Sequence, residues 1–271
     1  MPPTTTCTTS ATVPAPDVTA RFVALGDSFT EGLDDPRPDG TWRGWADRVA
    51  ETLAATDPGI TYANLAVRGR LLGQIVDDQV PVALSLRPTL VTLAGGTNDM
   101  LRPGFDAAVL GRRLRESTAA LTAVGARVVL LTGGDPSNRG ALARRLLPKV
   151  QALNDHVRAA ASDHDAVLAD LWSSRVWDDS QLWSEDRLHL NGLGHAKVAL
   201  AVLEALGHPV EEDWRMPLPS SARPPWLVQR QADFGWARQH LAPWLHRRLT
   251  GRSSGDGVAC KRPDLTPVGR W

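Results

Sequence analysis

Cysteine is nearly absent: two residues, Cys7 and Cys260, stand near opposite ends of a 271-residue chain. Two thiols so far apart make neither a disulfide framework nor a four-ligand zinc site. This usage fits a reducing, cytoplasmic compartment. No apolar run approaches the ~20 residues of a membrane span, so no stable membrane insertion is expected. The opening stretch MPPTTTCTTSATVPAPDVTA shows neither a basic n-region nor an apolar h-region, so no secretory signal is readable in it. Net charge is missing too: 30 Lys+Arg balance 30 Asp+Glu. That leaves no field to gather nucleic acid. The seven histidines do not recur with carboxylates at H-x-H or H-x-x-x-H spacing, so neither a metal nor another cofactor is expected. There is no internal repeat.

What is present is apolar residue at 42%, enough for one well-buried core and an appended segment. Residues 1–20 have no face to bury and read as disordered. From 21 to 207, short apolar runs alternate with longer amphipathic stretches. Strands are predicted at Arg21–Leu25, Ile60–Leu65, Thr89–Ala94, Arg127–Thr132 and Ala166–Leu171. Helices are predicted at Trp42–Ala55, Leu71–Leu84, Phe105–Val124, Ala141–Ala161 and Gly192–Leu206. Strands separated by helices pair in parallel with right-handed crossovers, which gives a three-layer α/β/α domain.

Residues 208–271 form a C-terminal extension. Its first part, 208–225, is Pro-rich and irregular. Phe234, Ala237, Leu241, Trp244, Leu245 and Leu249 then fall at helical spacing, with Pro243 set to kink that helix. The apolar face should pack on the main domain or on a second copy of the chain, away from the chemistry. Residues 251–271 read as a loose tail.

In a parallel sheet, functional groups gather beyond the carboxyl ends of the strands. Ser28 follows the first strand, Gly69 the second and Asn98 the third; Asp186 and His189 follow the last. These residue types suit acyl transfer. A serine hydroxyl needs a base to take its proton, and an imidazole titrates in the right range. Asp186 can fix the tautomer of His189. The N–H groups of Ser28 and Gly69 and the side-chain amide of Asn98 can meet an oxyanion. No G-x-S-x-G elbow surrounds Ser28, which argues against an α/β-hydrolase fold.

The stretches GDSFTEG (26–32), NLAVRG (64–69), GGTND (95–99) and DRLHLNGLGH (186–195) resemble, in order, the four blocks of the SGNH/GDSL-type serine hydrolases. The extension resembles those of actinobacterial cytosolic members. The resemblance implies a flavodoxin-like parallel sheet of about five strands and a metal-free serine mechanism. It assigns Ser28, Asp186 and His189 to the triad, and Ser28, Gly69 and Asn98 to the oxyanion hole. The partner is then a small-molecule ester.

Blander roles compete at single positions. Ser28 could cap a helix in a capping box with Glu31, and Asn98 could serve a turn. Asp27 and Asp99 read as loop anchors and His195 as structural. Trp177 and Trp183 are balanced between an aromatic substrate wall and packing, while Trp45 reads as packing. An acyltransferase would use the same site with another acceptor. A non-catalytic ligand-binding module would not need all five residues.

Overall fold

The computed structural model of the protein describes residues 20–219, 226–243 and 253–269. The disorder expected at the N-terminus therefore falls, Ala20 apart, outside the described residues.

Five strands form where the sequence predicts them: β1 (Arg21–Leu25), β2 (Thr61–Asn64), β3 (Leu90–Leu93), β4 (Arg127–Leu131) and β5 (Val167–Ala169). All pair in parallel, in the spatial order β5-β4-β3-β1-β2. This is the flavodoxin-like order, whose switch point lies beside β1. Phe22 and Ala24 of β1 enter one core cluster and Val23 and Leu25 the other, all fully buried. Burial on both faces is why these strands read as continuous apolar runs without alternation.

The helices are α1 (Ser28–Glu31), α2 (Gly44–Thr56), α3 (Leu72–Gln74), α4 (Val80–Ser85), α5 (Thr97–Met100), α6 (Ala107–Ala123), α7 (Ala141–Arg144), α8 (Leu147–Asp163), α9 (Gly192–Ala205) and α10 (Trp226–Trp236). The pair α2 and α9 packs together, as does the pair α6 and α8, giving the two helical layers of the sandwich. Two predicted helices are divided. The stretch expected at Leu71–Leu84 contains a π-helical segment, Ile75–Gln79, between α3 and α4. The one expected at Ala141–Ala161 breaks ahead of Pro148, which sits in the first turn of α8, where its missing N–H costs no helical bond.

The tail departs from expectation. Residues 262–267 are not loose: they form a sixth strand, β6 (Arg262–Pro267), antiparallel to β2 with Thr61 opposite Pro267 and Tyr62 opposite Thr266. Its sequence hides this, because Pro263 and Pro267 argue against a strand. At the sheet edge only one side of the strand must pair, so both prolines are tolerated. Lys261, just ahead of β6, inserts its ammonium among the carbonyls of Glu31, Trp42 and Arg43 and the carboxylate of Asp47 at 2.6–3.0 Å. In the Pro-rich stretch, Trp214 is buried and stacks on Trp177 at 5.8 Å. Helix α10 runs into a π-turn, Ala237–Leu241. Trp244, Leu245 and Leu249 lie outside the described residues. Among the described residues no helix is long and apolar enough to cross a membrane.

Candidate active site

The loop after β1 turns on Gly26, where a Cβ would lie 2.7 Å from the Ala94 carbonyl and 2.3 Å from the Thr30 hydroxyl. The buried Gln79 amide clamps this glycine from both sides, accepting from its N–H and donating to its carbonyl at 2.8 Å each. Asp27, not Ser28, caps α1: its Oδ1 accepts from Phe29 N–H at 3.1 Å. Ser28 is the first residue of the helix, so its hydroxyl is left for other work.

That hydroxyl lies 3.0 Å from Nε2 of His189. On the other side of the ring, Nδ1 lies 2.6 Å from Oδ2 of Asp186. With Nδ1–H donated to Asp186, Nε2 accepts from Ser28. The second oxygen of Asp186 accepts from the N–H groups of Leu188 and His189 at 2.8 and 2.9 Å, and lies 2.6 Å from the Ser184 hydroxyl. This turn requires Arg187 at φ 57°, a left-handed conformation costly for a side chain of its size. Burial pushes the pKa of Asp186 up, but the hydrogen bond and charge of His189 outweigh it and hold the carboxyl well below its ordinary value. For His189 burial pulls the pKa down. The hydrogen bond to Asp186 and the charges of Asp186, Asp34 and Asp27 reverse that, so the net shift is upward.

Asn98 donates its amide to Asp27 Oδ2 and to the Arg70 carbonyl, both at 3.0 Å. Val67 N–H donates to the Gly26 carbonyl, and Leu72 N–H to the Asp99 carboxylate. The loops after β1, β2 and β3 are thus tied to one another, and Ser28–His189 ties in the fourth. Gly69 has φ +75°, and a Cβ there would collide with Ser253 Oγ at 2.2 Å. Neither Ser28 N–H nor Gly69 N–H has an acceptor among the described residues. All five residues singled out in the sequence therefore come to one edge of the sheet. Burial raises Asp27 to about 6 despite the bonds from Phe29 and Asn98. Its place is that of a loop anchor, as is that of Asp99.

The tryptophans divide. Trp177 is buried and donates to the Leu171 carbonyl, and Trp45 is fully buried, so both pack. Trp183 is half-buried, with the Arg139 guanidinium 3.2 Å from its ring centroid. His195 is buried beneath the nucleophile loop, its Nε2 3.1 Å from the Leu33 carbonyl.

Several supporting residues carry no sequence signal. Buried Glu31 accepts from Arg68 N–H at 2.8 Å and pairs with its guanidinium, fixing the chain just before Gly69. Arg139 donates to the Arg187 carbonyl at 2.8 Å. From α10, Trp236 Nε1–H donates to the Asp186 carbonyl at 2.8 Å and Asp233 pairs with Arg187 at 2.7 Å. The extension therefore packs on the Asp186 loop, not away from it as its apolar spacing suggested. Asp34, Asp186 and His189 offer three ligand atoms within 4.8 Å of one another. Each carboxylate already holds a hydrogen-bond partner, and the ring is engaged by Asp186 and Ser28.

The model of the GDSL-like lipase/acylhydrolase family matches residues 24–197. No curated protein matches. Solved structures do. An α/β hydrolase, LAE5, from the metagenome of Lake Arreo, Spain, is 22% identical over 69% of this chain and 95% of its own, with TM-score 0.58. Esterase EstA from Pseudoalteromonas sp., in a structure inhibited by monoethylphosphonate, is 20% identical over 69% and 96%, with TM-score 0.53. Axe2, an acetyl xylan esterase from Geobacillus stearothermophilus, is 17% identical over 71% and 97%, with TM-score 0.60. Its catalytic mutants include one at a serine, one at a histidine and one at an aspartate three residues before that histidine.

Proposed function

The chain belongs to the GDSL-like lipase/acylhydrolase family and is a hydrolase acting on ester bonds; from that premise we propose that it cleaves a carboxylic ester through an acyl-enzyme on Ser28. One observation carries this reading: the unbroken chain Ser28 Oγ–His189–Asp186, at 3.0 and 2.6 Å. Asp186 precedes His189 by the same interval as the catalytic Asp and His of Axe2.

In the first half-reaction the Ser28 proton passes to His189 Nε2 as Oγ attacks the carbonyl carbon. The oxyanion is met by the N–H groups of Ser28 and Gly69 and by Asn98, one of whose amide hydrogens turns from Asp27 or Arg70 towards it. The imidazolium then protonates the leaving alkoxide. Water, deprotonated by the same ring, releases the acid. The substrate is a small-molecule ester, with no cofactor and no nucleic acid partner. The two widely separated cysteines support a cytoplasmic location.

The test is covalent and kinetic. An alkyl fluorophosphonate should label Ser28 alone, with loss of p-nitrophenyl ester hydrolysis. Ser28→Ala should reduce kcat by about 10⁶-fold, because the three residues act as a unit. Labelling at another serine refutes the assignment.

A further inference from the structure

We propose that Asp34 is a second carboxylate of the acid–base centre, bracing Asp186 through Ser184 and presenting its own charge to the Nδ1 side of His189. The inference rests on reading Ser28, His189 and Asp186 as the triad.

Two adjacent aspartates follow α1, and the structure gives them different partners. Asp35 pairs with Arg48 at 2.9 Å and accepts from Gly44 N–H at 3.1 Å, an ordinary structural role. Asp34, in the left-handed conformation at φ 69°, has no Lys or Arg partner among the described residues. Among the described residues its ionisable basic neighbour is His189, with Oδ2 3.8 Å from Nδ1. The same oxygen lies 2.7 Å from the Ser184 hydroxyl, which lies 2.6 Å from Asp186 Oδ1.

A serine hydroxyl carries one hydrogen. It can donate to Asp34 or to Asp186, never to both, so two carboxylates are held around a single donor. With neutral His189 that arrangement is strained by like-charge repulsion. When His189 takes the Ser28 proton, the new positive charge lies beside both, 2.6 Å from Asp186 and 3.8 Å from Asp34 at Nδ1, and the repulsion is offset. Asp34 therefore favours the state reached during the reaction over the resting state, which acts on kcat and not on binding. The other charged groups around the ring are Asp186 and Asp27, on loops at either side, and Arg139, which faces Asp186 from the loop after β4. Arg139 tempers Asp186, whereas among the described residues no ion pair other than that with His189 tempers Asp34.

The experiment measures kcat and KM for p-nitrophenyl ester hydrolysis from pH 5 to 9 in six forms: wild type, Asp34→Asn, Ser184→Ala, Asp186→Ala, Asp186→Ala/Asp34→Asn and His189→Ala. Asp34→Asn should lower kcat about tenfold at nearly unchanged KM and move the acid limb about one pH unit lower, the size expected for a charge at this range. Ser184→Ala, which keeps both charges, should lower kcat while leaving the limb in place. Asp186→Ala should retain more rate than His189→Ala, and adding Asp34→Asn should remove the difference. Should Asp34→Asn not fold, Asp34→Ser must give the same displacement. A limb unmoved by loss of the Asp34 charge, or a double variant no slower than Asp186→Ala, overturns the proposal. A His189→Ala enzyme of wild-type rate would instead overturn the triad reading beneath it.

Discussion

Trp236 Nε1–H donates to the main-chain carbonyl of Asp186 at 2.8 Å. A side chain from the C-terminal helix, beyond residue 197 where the family match ends, thus touches the carboxylate residue of the candidate triad. The same carbonyl group begins the turn in which Arg187 is held left-handed, and Asp233 and Arg139 grip that turn from two further sides.

Trp236→Phe removes the donor and keeps an aromatic ring. A hydrogen bond of about 0.5–1.5 kcal/mol is at stake, so kcat should fall by up to about tenfold if the turn loosens. KM should change little. Steady-state kinetics of the full-length variant decide it, and an unchanged kcat would show that the helix rests on the loop without steadying it.

Lys261 acts through stability. Burial lowers its pKa, opposed chiefly by the charge and hydrogen bond of Asp47, and three carbonyls take up its remaining donor capacity. Lys261→Met takes from Asp47 its closer cation, leaving Arg37 at 3.4 Å, and leaves those carbonyls without their donor. Removing one partner of such a buried pair costs about 3 kcal/mol or more, which at this chain length means a Tm lower by roughly 10 °C. Thermal denaturation followed by circular dichroism reads it; a Tm within a degree or two of wild type would contradict the clasp.

Activity should depend on pH through His189. The ring must be neutral to take the Ser28 proton, and its pKa is raised because Asp186, Asp34 and Asp27 together outweigh burial. The acid limb of kcat/KM should therefore lie above the ordinary histidine value of about 6.5. A limb below that value would mean that burial wins.

His195 governs stability instead. Burial lowers its pKa to about 4, against a weaker opposing effect of its bond to Leu33. The folded state prefers the neutral ring, so below about 6.5 the unfolded chain binds a proton that the folded chain refuses. Stability from this group is present above that pH and lost as pH falls towards about 4, a loss of roughly 3 kcal/mol. Tm measured from pH 7 to 4.5 should fall more steeply in wild type than in His195→Gln. Parallel curves would rule the group out.

The sequence by itself determined the five parallel strands, their order along the chain and the five residues at the sheet edge. The reason is local. A strand buried on both faces must be apolar throughout, and chemistry on post-strand loops needs particular residue types, so both leave patterns within a few positions. What lay far away in sequence only the tertiary structure decided. Neither Trp236 nor Lys261 stands out in its own segment; each acquires its role from carbonyls that belong to other loops. The strand at 262–267 is specified by the open edge of β2 and not by its own Pro-containing sequence. Asp34 and Asp35 are the same residue side by side, and what separates them is the neighbour each meets: Arg48 for one, His189 for the other.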